Sequence, residues 1–131
     1  MKREDMVRMI RDSIEDVEAI YLFGSISAGT EHADSDIDLA VMTKAGLSPT
    51  RFWEVAQELS SMVSRDVDLI NLREASTVMR MEIVSSGERI YCANEANSDA
   101  FENFVFADYA RLNEERARIL KDIRRRGSIY G

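Results

Sequence analysis

The chain reads as an α/β layer domain, a small mixed β-sheet flanked by helices and followed by a long C-terminal helix. Three observations point there. Short apolar runs of strand length alternate with segments whose apolar residues recur every three or four positions. Gly and Ser-Pro signals fall where one pattern gives way to the other. The 131 residues are enough for one core and hardly for two, so residues 1–131 are expected to form a single domain.

Met6, Met9, Ile10, Ile14 and Val17 form one apolar stripe, which predicts an amphipathic helix over 3–18. Ala19 to Phe23 is almost wholly apolar and ends at Gly24, as a buried strand would. Residues 26–35 read as a loop or short helix, and Asp36 to Met42 alternates into a second strand. Ser48-Pro49 then has the form of an N-cap with Pro at the first helical position. It opens a helix to about residue 64, with Phe52, Val55, Ala56, Leu59, Met62 and Val63 inward and Trp53 assigned to core or interface. Val67 to Leu72 is the third strand. Ala75, Val78, Met79, Glu82 and Ile83 mark a helix stopped by Gly87, with Arg89 to Cys92 as a small edge strand. The polar stretch CANEANSD reads as a connection into a last helix over about 99–126.

Composition narrows the function. Hydrophobic residues make up 45% and charged residues 31%, and no apolar run approaches the roughly 20 residues that span a bilayer. The N-terminus MKREDMVRMIRD lacks the apolar core of a signal peptide, and the lone Cys92 has no ligand-spaced Cys or His neighbours. A cytoplasmic protein without a zinc site is expected, with Cys92 as a small buried side chain. A net charge of −7 argues against binding long nucleic acid directly. Residues 101–131 carry seven Lys/Arg against five Asp/Glu, so an acidic body bears a mildly basic tail. Arg124, Arg125 and Arg126 complement a helix C-terminus and stay solvated, and the single histidine, His32, is an exposed loop residue.

The chemistry is concentrated in GSISAGTEHADSDIDLAV, where Gly24-Ser25 is followed after ten residues by Asp36-Ile37-Asp38. Strand side chains alternate, so Asp36 and Asp38 share a face while Ile37 and Leu39 pack beneath. Asp68, between Val67 and Leu69 on the third strand, adds a third carboxylate. Such a set is a ligand pattern for Mg2+, which takes oxygen donors and shares its sphere with water and substrate phosphates. Gly24 permits close approach of backbone N–H groups to phosphate oxygens, and Ser25 offers a hydroxyl. Asp34 and Asp66 have the right parity for secondary roles, and Arg73, just past the third strand, is a candidate phosphate contact.

These residues, with VDLINL, resemble the minimal nucleotidyltransferases of the DNA polymerase β superfamily over about Ile14 to Leu72. The tail YARLNEERARILKDIRRRGSIYG is similar to the end of the MntA-type antitoxins, which pair with HEPN-domain toxin RNases. The resemblance implies a polymerase β-like nucleotidyltransferase fold and Mg2+-dependent transfer of AMP from ATP to a tyrosine of the toxin. It also implies that Gly24 and Ser25 bind the triphosphate, that Asp36, Asp38 and Asp68 bind metal, and that Asp68 helps deprotonate the acceptor. Many relatives carry Arg after the Gly-Ser pair. Ile26-Ser27-Ala28 supplies no cation here, so weak affinity for free ATP is expected. The final helix, with Tyr109, Leu112, Ile119 and Ile123, is the expected docking or homo-oligomerising element. Two alternatives stand beside this reading: a binding-only antitoxin, and a nucleotidyltransferase acting on a small-molecule hydroxyl.

Overall fold

The computed structural model describes residues 3–24, 36–44 and 46–130, with side chains through 127. Its four strands are β1 (Val17–Phe23), β2 (Ile37–Thr43), β3 (Val67–Asn71) and β4 (Glu88–Cys92). Its helices are α1 (Arg3–Ser13), α2 (Pro49–Val63), α3 (Thr77–Ser86) and α4 (Glu95–Tyr130). The strands lie in the order β3-β2-β1-β4. β1 is antiparallel to β2 and β4, and β2 is parallel to β3. The expected mixed sheet is therefore present, with β4 as a fourth full member.

Two apolar layers sandwich it. On one face Ile20, Leu22, Leu39, Val41 and Val67 pack against Met6, Ile10 and Ile14 of the α1 segment and Phe52, Val55 and Leu59 of α2. On the other, Tyr21, Phe23, Ala40, Met42 and Leu72 pack with Ile83 of α3, and Phe101 of α4 borders them. This alternation along β2 sends Asp38 to the α3 side while Ile37 and Leu39 face α1 and α2.

The helix expected over 3–18 stops at Ser13. Ile14 N–H still donates to the Ile10 carbonyl at 2.9 Å, but Asp16 then takes a left-handed φ of 55°. Val17, which continues the helical stripe, heads β1 instead. The predicted start of α2 holds: the N-cap Ser48 accepts from Arg51 N–H at 3.1 Å, and Pro49 follows it at the first helical position. Ser76 caps α3 in the same way, through Met79 N–H. Gly87 closes α3 with its N–H on the Ile83 carbonyl, and a Cβ there would press on the Leu22 carbonyl at 3.1 Å and Phe23 at 3.2 Å. Met62, expected inward, is exposed, as is Val78 of α3.

The last helix begins at Glu95, not near Asp99. Asn94 is its cap, accepting from Asn97 N–H at 3.0 Å and, through its carbonyl, from Ser98 N–H at 3.1 Å. Arg89 clamps this first stretch to β4 by bonding Asp99 at 3.0 Å and Glu102 at 2.6 Å. Tyr21 is buried beside that clamp. Burial first and the Glu102 charge second push its phenol up to about 12. Beyond Leu112 every described side chain of α4 is exposed. Among the described residues no helix is long and apolar enough to cross a membrane.

Candidate active site

The sheet registers decide where the sequence-predicted carboxylates meet. Phe23 pairs with Asp38 across β1 and β2, and Asp38 pairs with Asp68 across β2 and β3. Phe23, Asp38 and Asp68 therefore stand in a row across three adjacent strands, with Gly24 just past the end of β1 and Asp36 one step before β2. Two bonds fix the parallel pair at this end: Ile37 N–H donates to the Asp66 carbonyl at 2.9 Å, and Val67 N–H donates to Ser60 Oγ at 2.9 Å. Asp66 thus contributes its backbone to the register.

Gly24 has a φ of +80°, and a Cβ at this position would overlap the Asp38 carboxylate, with Asp38 Cγ only 3.2 Å away. Glycine is required here on two counts, the left-handed backbone and the space. Asp36 and Asp68 are exposed, whereas Asp38 is half-buried. Its carboxyl is held above the usual carboxylate range by partial burial first, then by the negative charges of Asp68 and Asp36 and a hydrogen bond with Asp68. The three groups thus share one electrostatic environment with an excess of negative charge.

That excess, together with an all-oxygen donor set, fits a hard divalent cation. Among the described residues no three acidic, His or Cys side chains are placed to hold a metal ion by themselves. Mg2+ commonly takes one or two carboxylates and completes its sphere with water and substrate phosphate oxygens. Ser25, His32 and Asp34, named by the sequence reading, lie outside the described residues, as does the Ile26-Ser27-Ala28 stretch.

The structure separates Arg73 from this group. β3 runs parallel to β2, so the residues following it emerge at the far end of the sheet. There Arg73 Nε donates to the Thr43 carbonyl and NH2 pairs with Glu18 at 3.1 Å. Trp53, assigned to core or interface, is not in the core. It is 64% exposed, on a groove between α2 and the outer edge of β3 that Asp68 also lines. The available signal was its place one residue after Phe52, which turns it about 100° off the stripe of Phe52, Val55, Ala56 and Leu59.

Comparison with known proteins gives this geometry a family. Residues 5–96 match the family model described as polymerase beta, nucleotidyltransferase. The chain belongs to the polymerase β nucleotidyltransferases. Within that family it is 37% identical over 123 residues to the protein adenylyltransferase MntA of Shewanella oneidensis, covering 94% of this chain and 88% of the relative. A toxin–antitoxin crystal structure with AMP-PNP superposes with a TM-score of 0.84 at 37% identity, over 93% of this chain and 98% of that one. An MNT antitoxin in complex with a tri-AMPylated HEPN toxin of Shewanella oneidensis superposes with a TM-score of 0.77 at 34% identity, over 92% and 93%. The nucleotidyltransferase fold expected from the resemblance is the fold observed.

Proposed function

We propose that this chain is an antitoxin that transfers AMP from ATP to a tyrosine hydroxyl of a cognate HEPN-domain toxin and thereby silences it. The observation that carries the reading is that Gly24, Asp38 and Asp68 gather at one end of three adjacent strands, with Asp36 beside them, in a chain alike over most of its length to an adenylyltransferase. Asp36, Asp38 and Asp68 would hold Mg2+. Bound there, the ion supplies charge neutralisation for the phosphates and a lower proton affinity for the attacking hydroxyl. Gly24 leaves room for the Asp38 carboxylate at the end of β1, and with Ser25 it forms the turn that would bind the triphosphate. The Asp68 carboxylate accepts the phenolic proton as the tyrosine oxygen forms a bond to the α-phosphorus and the bond to pyrophosphate breaks. Positioning and electrostatics supply most of the acceleration in such transfers.

Residues 1–131 act in this reading as one minimal domain, with ATP and the lone thiol Cys92 consistent with the cytoplasm. The partner docks on α4. Its 36 residues extend about 54 Å and display Ile119, Leu120 and Ile123 in the open, although no apolar core demands them there. Deleting residues 111–131 is expected to keep the unfolding transition and abolish modification of the toxin, checked by thermal melting beside a transfer assay.

The experiment that tests the function compares α-labelled with γ-labelled ATP in the presence of Mg2+ and the toxin. Label from the α position alone, lost in Asp36→Asn, is the expected result. A stable, protective complex that carries no label would instead establish neutralisation by binding alone.

A further inference from the structure

We propose that the groove between α2 and the outer edge of β3 receives the acceptor's phenol side chain, with Trp53 as the wall that recognises its ring. The assignment rests on the nucleotidyl-transfer reading above and adds to it the place where specificity for an aromatic acceptor is set. The argument starts from strand order. In an in-line displacement the attacking and leaving oxygens lie on opposite sides of the phosphorus. The leaving pyrophosphate belongs on the Gly24 side, where the proposed function puts the triphosphate, and the carboxylates of Asp38 and Asp68 follow in register. Continuing that line leads off the sheet over β3, its outermost strand on this side. The ribose is attached at neither end of the line, so the adenosine departs sideways and the acceptor must come from the β3 edge.

A groove of about 460 Å³ lies there, within the size range of pockets that hold small ligands. Val67, Asp68 and Leu69 all line it. Because consecutive strand residues point to opposite faces, the groove opens along the edge of β3 and not onto one face. Its β3 wall extends from Val67 to Asn71, about 13 Å of strand. The opposite wall is apolar and aromatic, formed by Phe52 and Trp53 of α2. Phe52 is spent on the core, whereas Trp53 is 64% exposed, a large aromatic surface left in water beside the carboxylate that accepts the phenolic proton. A phenol reaching Asp68 with its oxygen lays its ring along this wall, where an aromatic pair contributes beyond simple burial.

The test is a steady-state comparison of wild-type chain, Trp53→Ala and Trp53→Phe, with the cognate HEPN toxin as acceptor and Mg-ATP as donor. Trp53→Ala is expected to raise the KM for the toxin about three- to tenfold while the KM for ATP stays unchanged, and Trp53→Phe is expected to restore most of the loss. Since Trp53 is solvent-exposed, both variants are expected to melt like wild type. A raised KM for ATP with an unchanged KM for the toxin would give the groove to the nucleobase and overturn the proposal. So would any pattern in which the toxin KM does not move. Absence of transfer by the wild-type chain overturns the underlying reading and this one with it, and no Trp53 variant can mimic that result.

Discussion

The two ends of the central sheet are built on opposite electrostatic terms. At the end where β1 finishes and β2 and β3 begin, three carboxylates approach one another, and Asp38 is pushed toward its neutral form by partial burial first and by its neighbours second. At the other end, about 17 Å along β2, Arg73 bonds the carbonyl of buried Thr43 and pairs with Glu18, and Lys44 N–H donates to the Asp16 carbonyl at 3.1 Å. One end carries charge that the fold does not neutralise, and the other satisfies its charge internally. A fold that neutralised the carboxylates itself would leave little affinity for a cation or for phosphates, so frustration at one end is the expected mark of function.

The sharpest way to break this contrast is to remove charge from the frustrated end. Asp38→Asn is expected to lower the transfer rate by on the order of 10²–10³-fold or more, because it deletes electrostatic stabilisation aimed at the reacting phosphate. In cation-free buffer its thermal stability should equal or exceed that of wild type, since a repulsion is removed with the carboxylate. Measuring rate and melting temperature on the same preparation checks both halves. Substantial destabilisation would mean that Asp38 supports the fold. Gly24→Ala tests the same end by geometry. The left-handed backbone alone costs about 1–2 kcal/mol, and the added methyl displaces the Asp38 carboxylate, so both stability and transfer should fall. A denaturant titration and a transfer assay read the two effects.

Arg73→Ala probes the satisfied end and should show the inverse. Losing the bond to the Thr43 carbonyl and the pair with Glu18 is expected to cost about 1–2 kcal/mol in chemical denaturation. The transfer rate per folded molecule should stay as it was. A drop in rate at unchanged stability would return Arg73 to the phosphate-binding role that its position just after the third strand suggests.

That misplacement shows what a linear sequence conveys. Asp36 and Asp38 are legible as a pair because strand parity is local, and Asp68 joins them because Val67 and Leu69 flank it in the same pattern. Whether β3 runs with β2 or against it is not local, and that direction alone decides at which end Arg73 emerges. The start of α4 was hidden for a different reason. Of the uncharged residues in its first turns only Ser98, Phe101 and Val105 face the body, so apolar periodicity is too sparse to announce a helix, and its start is marked by Asn94 as a cap. At Asp16 a left-handed residue ended a helix whose apolar stripe ran on through Val17, a backbone choice that side-chain pattern does not record.

The smallest effect concerns pH, and its sign follows from the direction of the Asp38 shift. With the carboxyl held above its ordinary value in the folded chain, the native state binds a proton more tightly than the unfolded state does. The stabilisation this gives is fully present below the unfolded carboxylate value and is lost as pH rises through the folded one. In a chelating buffer, wild-type stability should therefore decline across the upper carboxylate range more steeply than that of Asp38→Asn, which lacks the group. Asp38 is only half-buried and its neighbours Asp36 and Asp68 are exposed, so solvent screens the repulsion and keeps the difference modest. Adding Mg2+ should flatten the wild-type slope and leave the variant nearly unmoved, because the cation replaces the proton as the partner of these carboxylates. Parallel slopes without Mg2+ would place the balance of charge at this end of the sheet in groups other than Asp38.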